Sequence, residues 1–149
     1  MVLSQQGGDP AGVAAANAVA ASPADQVPAG RAATECLGDL PLAAGVGINA
    51  ADPTALTAVG AGPGDGTKVS SVICLGAADT AAAEALAARA RTALTTGRSR
   101  ASRQSWTELL VSPDVEVLPR SPAMVRITAV TADPGLGLKM MLQRDIPGR

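Results

Sequence analysis

The chain has 149 residues and a formal net charge of −1; Ala fills 32 positions, Gly 16 and Pro 11, while His, Tyr and Phe are absent and Trp106 is the single aromatic. The length fits one domain and is short for two. Without imidazole, every Ser-His-Asp, Cys-His or His-metal arrangement is excluded, and acid–base work falls to carboxylates, two lysines and two thiols. One aromatic also argues against base stacking of the kind single-strand nucleic-acid binders use.

Charge is unevenly spread. Residues 1–66 hold six acids against Arg31, a balance of −5, whereas residues 67–149 hold eleven bases against seven acids, a balance of +4. Opposite signs on the two halves suit one copy lying against another.

Residues 1–34 are Ala-rich with Pro10, Pro23 and Pro28 and carry little large apolar surface. Ala favours a helix, but without a Leu or Ile stripe that helix has little to bury. The composition predicts a docking arm at 1–34, outside the core of a single domain at 35–149. Residues 10–24 are far less apolar than a membrane span, so none is expected. Residues 1–12 lack the charged and Leu-rich regions of a signal peptide. The expected location is therefore the cytoplasm or a macromolecular assembly, with export requiring a leader upstream.

From residue 35 onward larger apolar residues enter. Residues 40–44 and 55–59 suggest short strands, and Asp52-Pro53 reads as a helix start with Asp as N-cap and Pro in the first turn. Residues 60–66 (GAGPGDG) read as a loop. Residues 68–75 (KVSSVICL) are a β-branched run between glycines and predict a strand. Residues 80–96 predict a helix capped by Asp79 and stopped by Gly97, with Ala83, Leu86, Ala87, Ala90 and Leu94 facing inward. Apolar segments follow at 106–111, 114–118 and 123–131, the last alternating as a half-buried strand does. The 132–135 turn (ADPG) followed by 136–143 suggests a hairpin. The resulting expectation is an α+β fold: a small, mostly antiparallel sheet, β-α-β-β-β in the second half, with one Ala-rich helix on a face.

Candidate sites are few. Gly45-Val46-Gly47-Ile48-Asn49-Ala50 has the letters of a dinucleotide turn, but no helix start falls inside it, so it reads as a loop. In residues 62–68 the threonine precedes the lysine and a strand follows, the wrong order for a phosphate loop. Arg89, Arg91, Arg98, Arg100 and Arg103 form a basic cluster, expected to be solvated or subunit-facing. Phosphate backbone is disfavoured as its partner by a pI near 5.3. Asp114 and Glu116 stand at strand spacing on one face, with a solvent-facing edge as the simpler reading. Cys36 and Cys74 both lie among apolar residues and are expected as buried free thiols. A disulfide between them, adding on the order of 3–4 kcal/mol in an oxidising compartment, is the alternative.

No catalytic set, cofactor site or metal site is complete. The sequence is therefore expected to encode a non-catalytic structural or assembly protein, a subunit of a homo- or hetero-oligomer with protein partners. The first alternative is an exported, disulfide-stapled domain of a high-GC bacterium that binds a small molecule or a cell-envelope partner. The second is a weak enzyme using carboxylates or the glycine loops.

Overall fold

A computed structural model describes residues 27–64, 66–119 and 122–149. In chain order these residues form helix α1 (Pro28–Leu37), strand β1 (Leu42–Val46), a 3-10 turn (Pro53–Ala55), strands β2 (Thr57–Pro63) and β3 (Val69–Gly76), helices α2 (Thr80–Thr96) and α3 (Trp106–Leu109), strands β4 (Val111–Leu118) and β5 (Met124–Thr131), and helix α4 (Leu136–Gln143). The strands make one antiparallel sheet in the order β1-β2-β3-β5-β4. This is an α+β fold with a small antiparallel sheet.

Pairing across the sheet sorts the side chains by face. Val59 lies opposite Ile73, Ile73 opposite Ile127, and Ile127 opposite Val115. This row points to the side where α2, α3 and α4 pack, and it shares a core with Leu86, Leu94, Trp106, Leu136 and Met140. The next row, Ala58–Cys74–Arg126–Glu116, points to the other side, where α1 lies across β2, β3 and β5. There Ala29, Ala32, Ala33 and Cys36 meet Leu56, Val72, Cys74 and Met124.

Helix α2 has the bounds its sequence predicts. Asp79 Oδ1 accepts from the Ala82 amide at 2.7 Å, and Gly97 ends the helix with its amide on the Ala93 carbonyl. Its buried residues are Ala83, Leu86, Ala87, Ala90 and Leu94, the predicted inward face. Asp52 caps the 3-10 turn by accepting from the Thr54 amide at 3.0 Å. Trp106 is buried at the centre of the larger core.

Four expectations change. The boundary after residue 34 falls inside α1, so residues 28–34 belong to the body and bury three alanines against the sheet. The earlier part of the expected arm lies outside the described residues. The expected loop at 60–66 shortens because β2 runs on to Pro63. Gly60 and Gly62 fit there because α1 and the turn after it press close: an added Cβ would come within 2.8 Å of Leu37 and 2.5 Å of Leu40.

The segment at 136–143 is a helix, so the expected hairpin is absent and β5 pairs instead with β3 and β4. Its Leu, Met, Lys and Gln are helix formers with no branch at Cβ, and buried Leu136 and Met140 are four residues apart. Finally, Cys36 and Cys74 are not free thiols but a disulfide, which ties to β3 the helix α1 that covers the second face of the sheet.

Candidate interaction surface

All five arginines of the basic cluster are exposed to solvent, as expected, and four of them also hydrogen-bond within the chain. Arg89 donates to the Gly148 carbonyl, Arg91 to that of Val115, Arg98 to that of Arg103 and Arg100 to that of Arg144. The helix carrying Arg89 and Arg91 ends at Thr96, so the five guanidinium groups do not share one helical face. Three of them tie α2 and the loop after it to the rest of the fold, while Arg98 closes that loop on itself. Arg103 stands in that loop with a positive φ of 66°.

The same loop is anchored by a buried carboxylate. Asp145 accepts from the Ser99 hydroxyl and the Ala101 amide, with Arg100 3.7 Å from its other oxygen. Burial pushes the Asp145 carboxyl up, yet these hydrogen bonds and the Arg100 charge together hold it below the usual carboxylate value. Beside it, Ser99, Gln104, Trp106, Asp133, Lys139 and Gln143 help line a cavity of about 100 Å³. Lys139 is committed to Asp133 at 2.7 Å across its rim. That space is well below the several hundred Å³ of a typical small-molecule site.

On the α1 side, Asp114 lies opposite Thr128 and Glu116 opposite Arg126. Arg126 Nη2 meets Glu116 Oε1 at 2.8 Å, and Nη1 reaches the Cys36 carbonyl at 3.4 Å. Its buried Nε has no partner among the described residues. Glu116 is therefore one half of a cross-strand ion pair beside the disulfide. The sequence shows both charges but not the register that joins them.

Neither glycine motif opens a helix. Gly45 and Val46 end β1, Gly47 turns with φ 74°, and the next regular element is the 3-10 turn. The 64–68 connection joins two antiparallel strands, with the Gly64 amide on the Lys68 carbonyl. No group of three or more Cys, Asp or Glu among the described residues is placed to hold a metal.

The two edges of the sheet are finished differently. Strand β4 carries Pro113, Asp114 and Glu116, takes a positive φ of 51° at Ser112, and shifts register between Val111 and Asp114. These are devices that keep an edge from pairing further. Strand β1, at the opposite edge, is LAAGV, and residues 40–51 around it contain no charged side chain. It too has a register shift, between Leu42 and Ala44.

That shift decides which way the edge points its side chains. Val46 pairs with Thr57 and Ala44 with Val59, which places Val46 on the side of α4. Leu42 pairs instead with Gly60 and lies near Gly45 and Ile48 on the α1 side. Helix α4 packs on β1 and β2, so tightly that a Cβ on Gly137 would come within 2.5 Å of Val59 Cγ1. Its outer residues Leu138 and Leu142 are 51% and 75% exposed, while Leu42 and Val46 are 50% and 56% exposed. Val111 on β4 is the fifth exposed large hydrophobic among the described residues. Four of the five thus belong to β1 and the helix stacked on it.

No protein-family model, no curated protein and no solved structure matches this chain. No helix of the described residues is long and apolar enough to cross a membrane.

Proposed function

We propose that this chain is a non-catalytic assembly subunit, a disulfide-clasped α+β body that joins a homo- or hetero-oligomer through the surface formed by β1 and α4. The observation that carries the reading is the concentration of Leu42, Val46, Leu138 and Leu142 at the sheet edge without charge protection. Single exposed apolar residues are ordinary, but a group of them at a strand edge left open among the described residues favours a protein contact. The arginines serve this reading as internal ties, leaving the contact to apolar side chains and strand edge.

The disulfide supports a working place outside the reducing cytosol, which favours the exported form of the protein over the cytoplasmic one. A partner in this reading is another protein chain, and residues 1–26 keep the role of docking arm. Native mass spectrometry of the protein recovered from its own source tests the proposal. Species heavier than the 14.7 kDa chain, carrying an intact disulfide, are expected. A lone monomer at all loadings would refute it.

A further inference from the structure

We propose that the cavity beneath the 97–105 loop binds a carboxylate group on a short alkyl arm, supplied by a small free acid or by an acidic side chain of another protein. The site is separate from the apolar β1 edge. Helix α4 turns Leu136, Lys139, Met140 and Gln143 to the cavity and Leu138 and Leu142 to solvent, so the site stands whether or not the chain assembles.

The deciding atom is the indole nitrogen of Trp106. Trp106 lines the cavity and is 3% exposed, yet its N–H donates to no acceptor among the described residues. A buried indole N–H ordinarily finds a partner. Among the described residues Arg126 Nε is the only unpartnered side-chain nitrogen sealed from solvent, so the Trp106 nitrogen meets accessible space. For this buried ring that space is the cavity. An indole nitrogen only donates, so the atom it calls for is an acceptor.

Its neighbours add donors. Ser102 Oγ already accepts from the Gln104 amide at 3.3 Å, which leaves its hydroxyl proton to give. Lys139 spends one N–H on Asp133 and keeps two. The two acids of the wall are already answered, Asp133 by Lys139 and the Gly135 amide, Asp145 by Ser99, Ala101 and Arg100. What is left uncompensated is positive. Arg98, Arg103 and Arg144 are exposed, and each adjoins a wall residue in sequence: Ser99, Ser102 and Gln143. None of the three has an ion pair among the described residues. Their field favours an anionic acceptor over a neutral one.

Size and lining set the rest. Leu109, Leu136 and Met140 form the apolar part of the wall. At about 100 Å³ the cavity is smaller than the roughly 150 Å³ that admits benzene, so it takes a group of a few heavy atoms. A carboxylate on a short alkyl arm matches the donors and the apolar wall together. A phosphate has the charge but nothing to set against the leucines.

The test is a titration of the oxidised, isotope-labelled full chain, followed at the indole N–H resonance of its single tryptophan. Sodium propionate is added at constant ionic strength, with propanol and inorganic phosphate as the neutral and anionic controls. Propionate should move the resonance saturably, with half-saturation at least about tenfold below that of either control. A capped peptide with a central Glu, compared with its Gln counterpart, separates the sources. Tighter binding than propionate assigns the site to an acidic protein segment, and weaker binding assigns it to a free acid.

Arg103→Gln combined with Arg144→Gln should weaken propionate about threefold. Trp106→Phe, followed at the backbone amides of the loop, should weaken it about tenfold. An indole resonance that propionate leaves in place means that water alone fills the cavity, and overturns the proposal. So does a shift that propanol or phosphate matches at equal concentration, or a propionate affinity that the double arginine variant retains in full. Both arginines are exposed, so that variant keeps the test decisive should Trp106→Phe fail to fold.

Discussion

On one side of the sheet Val59, Ile73, Leu75, Val125 and Ile127 meet Leu86, Leu94, Trp106 and Met140, so large side chains fill the space from both layers. On the other side α1 brings Ala29, Ala32, Ala33 and Cys36, and its own closure depends on small groups. A buried methyl contributes roughly 0.8 kcal/mol, whereas fixing one backbone residue costs about 1–2 kcal/mol. Three alanines therefore do little to hold ten ordered residues. The second face adds what the first does not need: a covalent bond from Cys36 to Cys74, and Arg126 bridging Glu116 and the Cys36 carbonyl. Apolar area closes a face by itself when the residues are large; an alanine helix needs a clasp.

The largest effect should come from the face that relies on area. Trp106→Ala is expected to cost about 4 kcal/mol, because its cavity sits among large residues that cannot collapse onto Ala. Leu86→Ala on the same face should cost about 3 kcal/mol. Urea melts of both variants check this, and wild-type midpoints would mean that α2 is not seated as described.

Next comes the clasp. Replacing Cys36 and Cys74 together by Ala should cost about 3 kcal/mol through the freedom returned to the unfolded chain. The comparison sharpens if the loss is local. Hydrogen exchange should show α1 losing protection in the reduced protein while α2 keeps its own. Equal loss in both helices would break the distinction between the faces.

Asp145 belongs to the large-residue side, where it pins the loop before Trp106. Asp145→Ala should cost about 2 kcal/mol by leaving the Ser99 hydroxyl and Ala101 amide without their acceptor. Its carboxyl is held below the usual value in the folded protein, so its contribution is complete above the unfolded value near 3.9. That contribution is lost as pH falls through the lower folded value. The wild type should lose stability as pH drops below about 4, and Asp145→Asn should flatten that part of the profile. An unchanged profile in Asp145→Asn would show that the carboxylate carries none of it.

The smallest effect is local to α2. Asp79→Ala removes the acceptor of the Ala82 amide and should cost about 1 kcal/mol, measurable as a shifted thermal midpoint.

The sequence was most legible where structure is decided within a few residues. Asp79, the alanine and leucine spacing, and Gly97 set the bounds of α2 because capping and helical period are local properties. The β-branched runs of β3 and β5 were readable for the same reason, and their antiparallel pairing keeps alternate residues on one face. The α1 alanines and the 136–143 helix were not. Alanine spacing says little about what a helix covers until Cys36 finds Cys74, and 136–143 needed its Leu and Met weighed above the turn that precedes it. The candidate surface was still less visible: LAAGV reads as a weak strand, and nothing in it says that it is an edge.

Composition alone excluded imidazole chemistry, because a missing residue type is missing in every fold. Local pattern then set the cap, length and inward face of α2. Tertiary structure alone decided that Cys36 meets Cys74, that Arg126 stands opposite Glu116, and that Arg89, Arg91, Arg98 and Arg100 each place a donor on a carbonyl of this chain. It also decided that the uncharged strand ends the sheet on one side while the charged one ends it on the other. Those facts depend on strand order and register, which follow from how the whole chain buries its apolar faces and not from the residues beside each position.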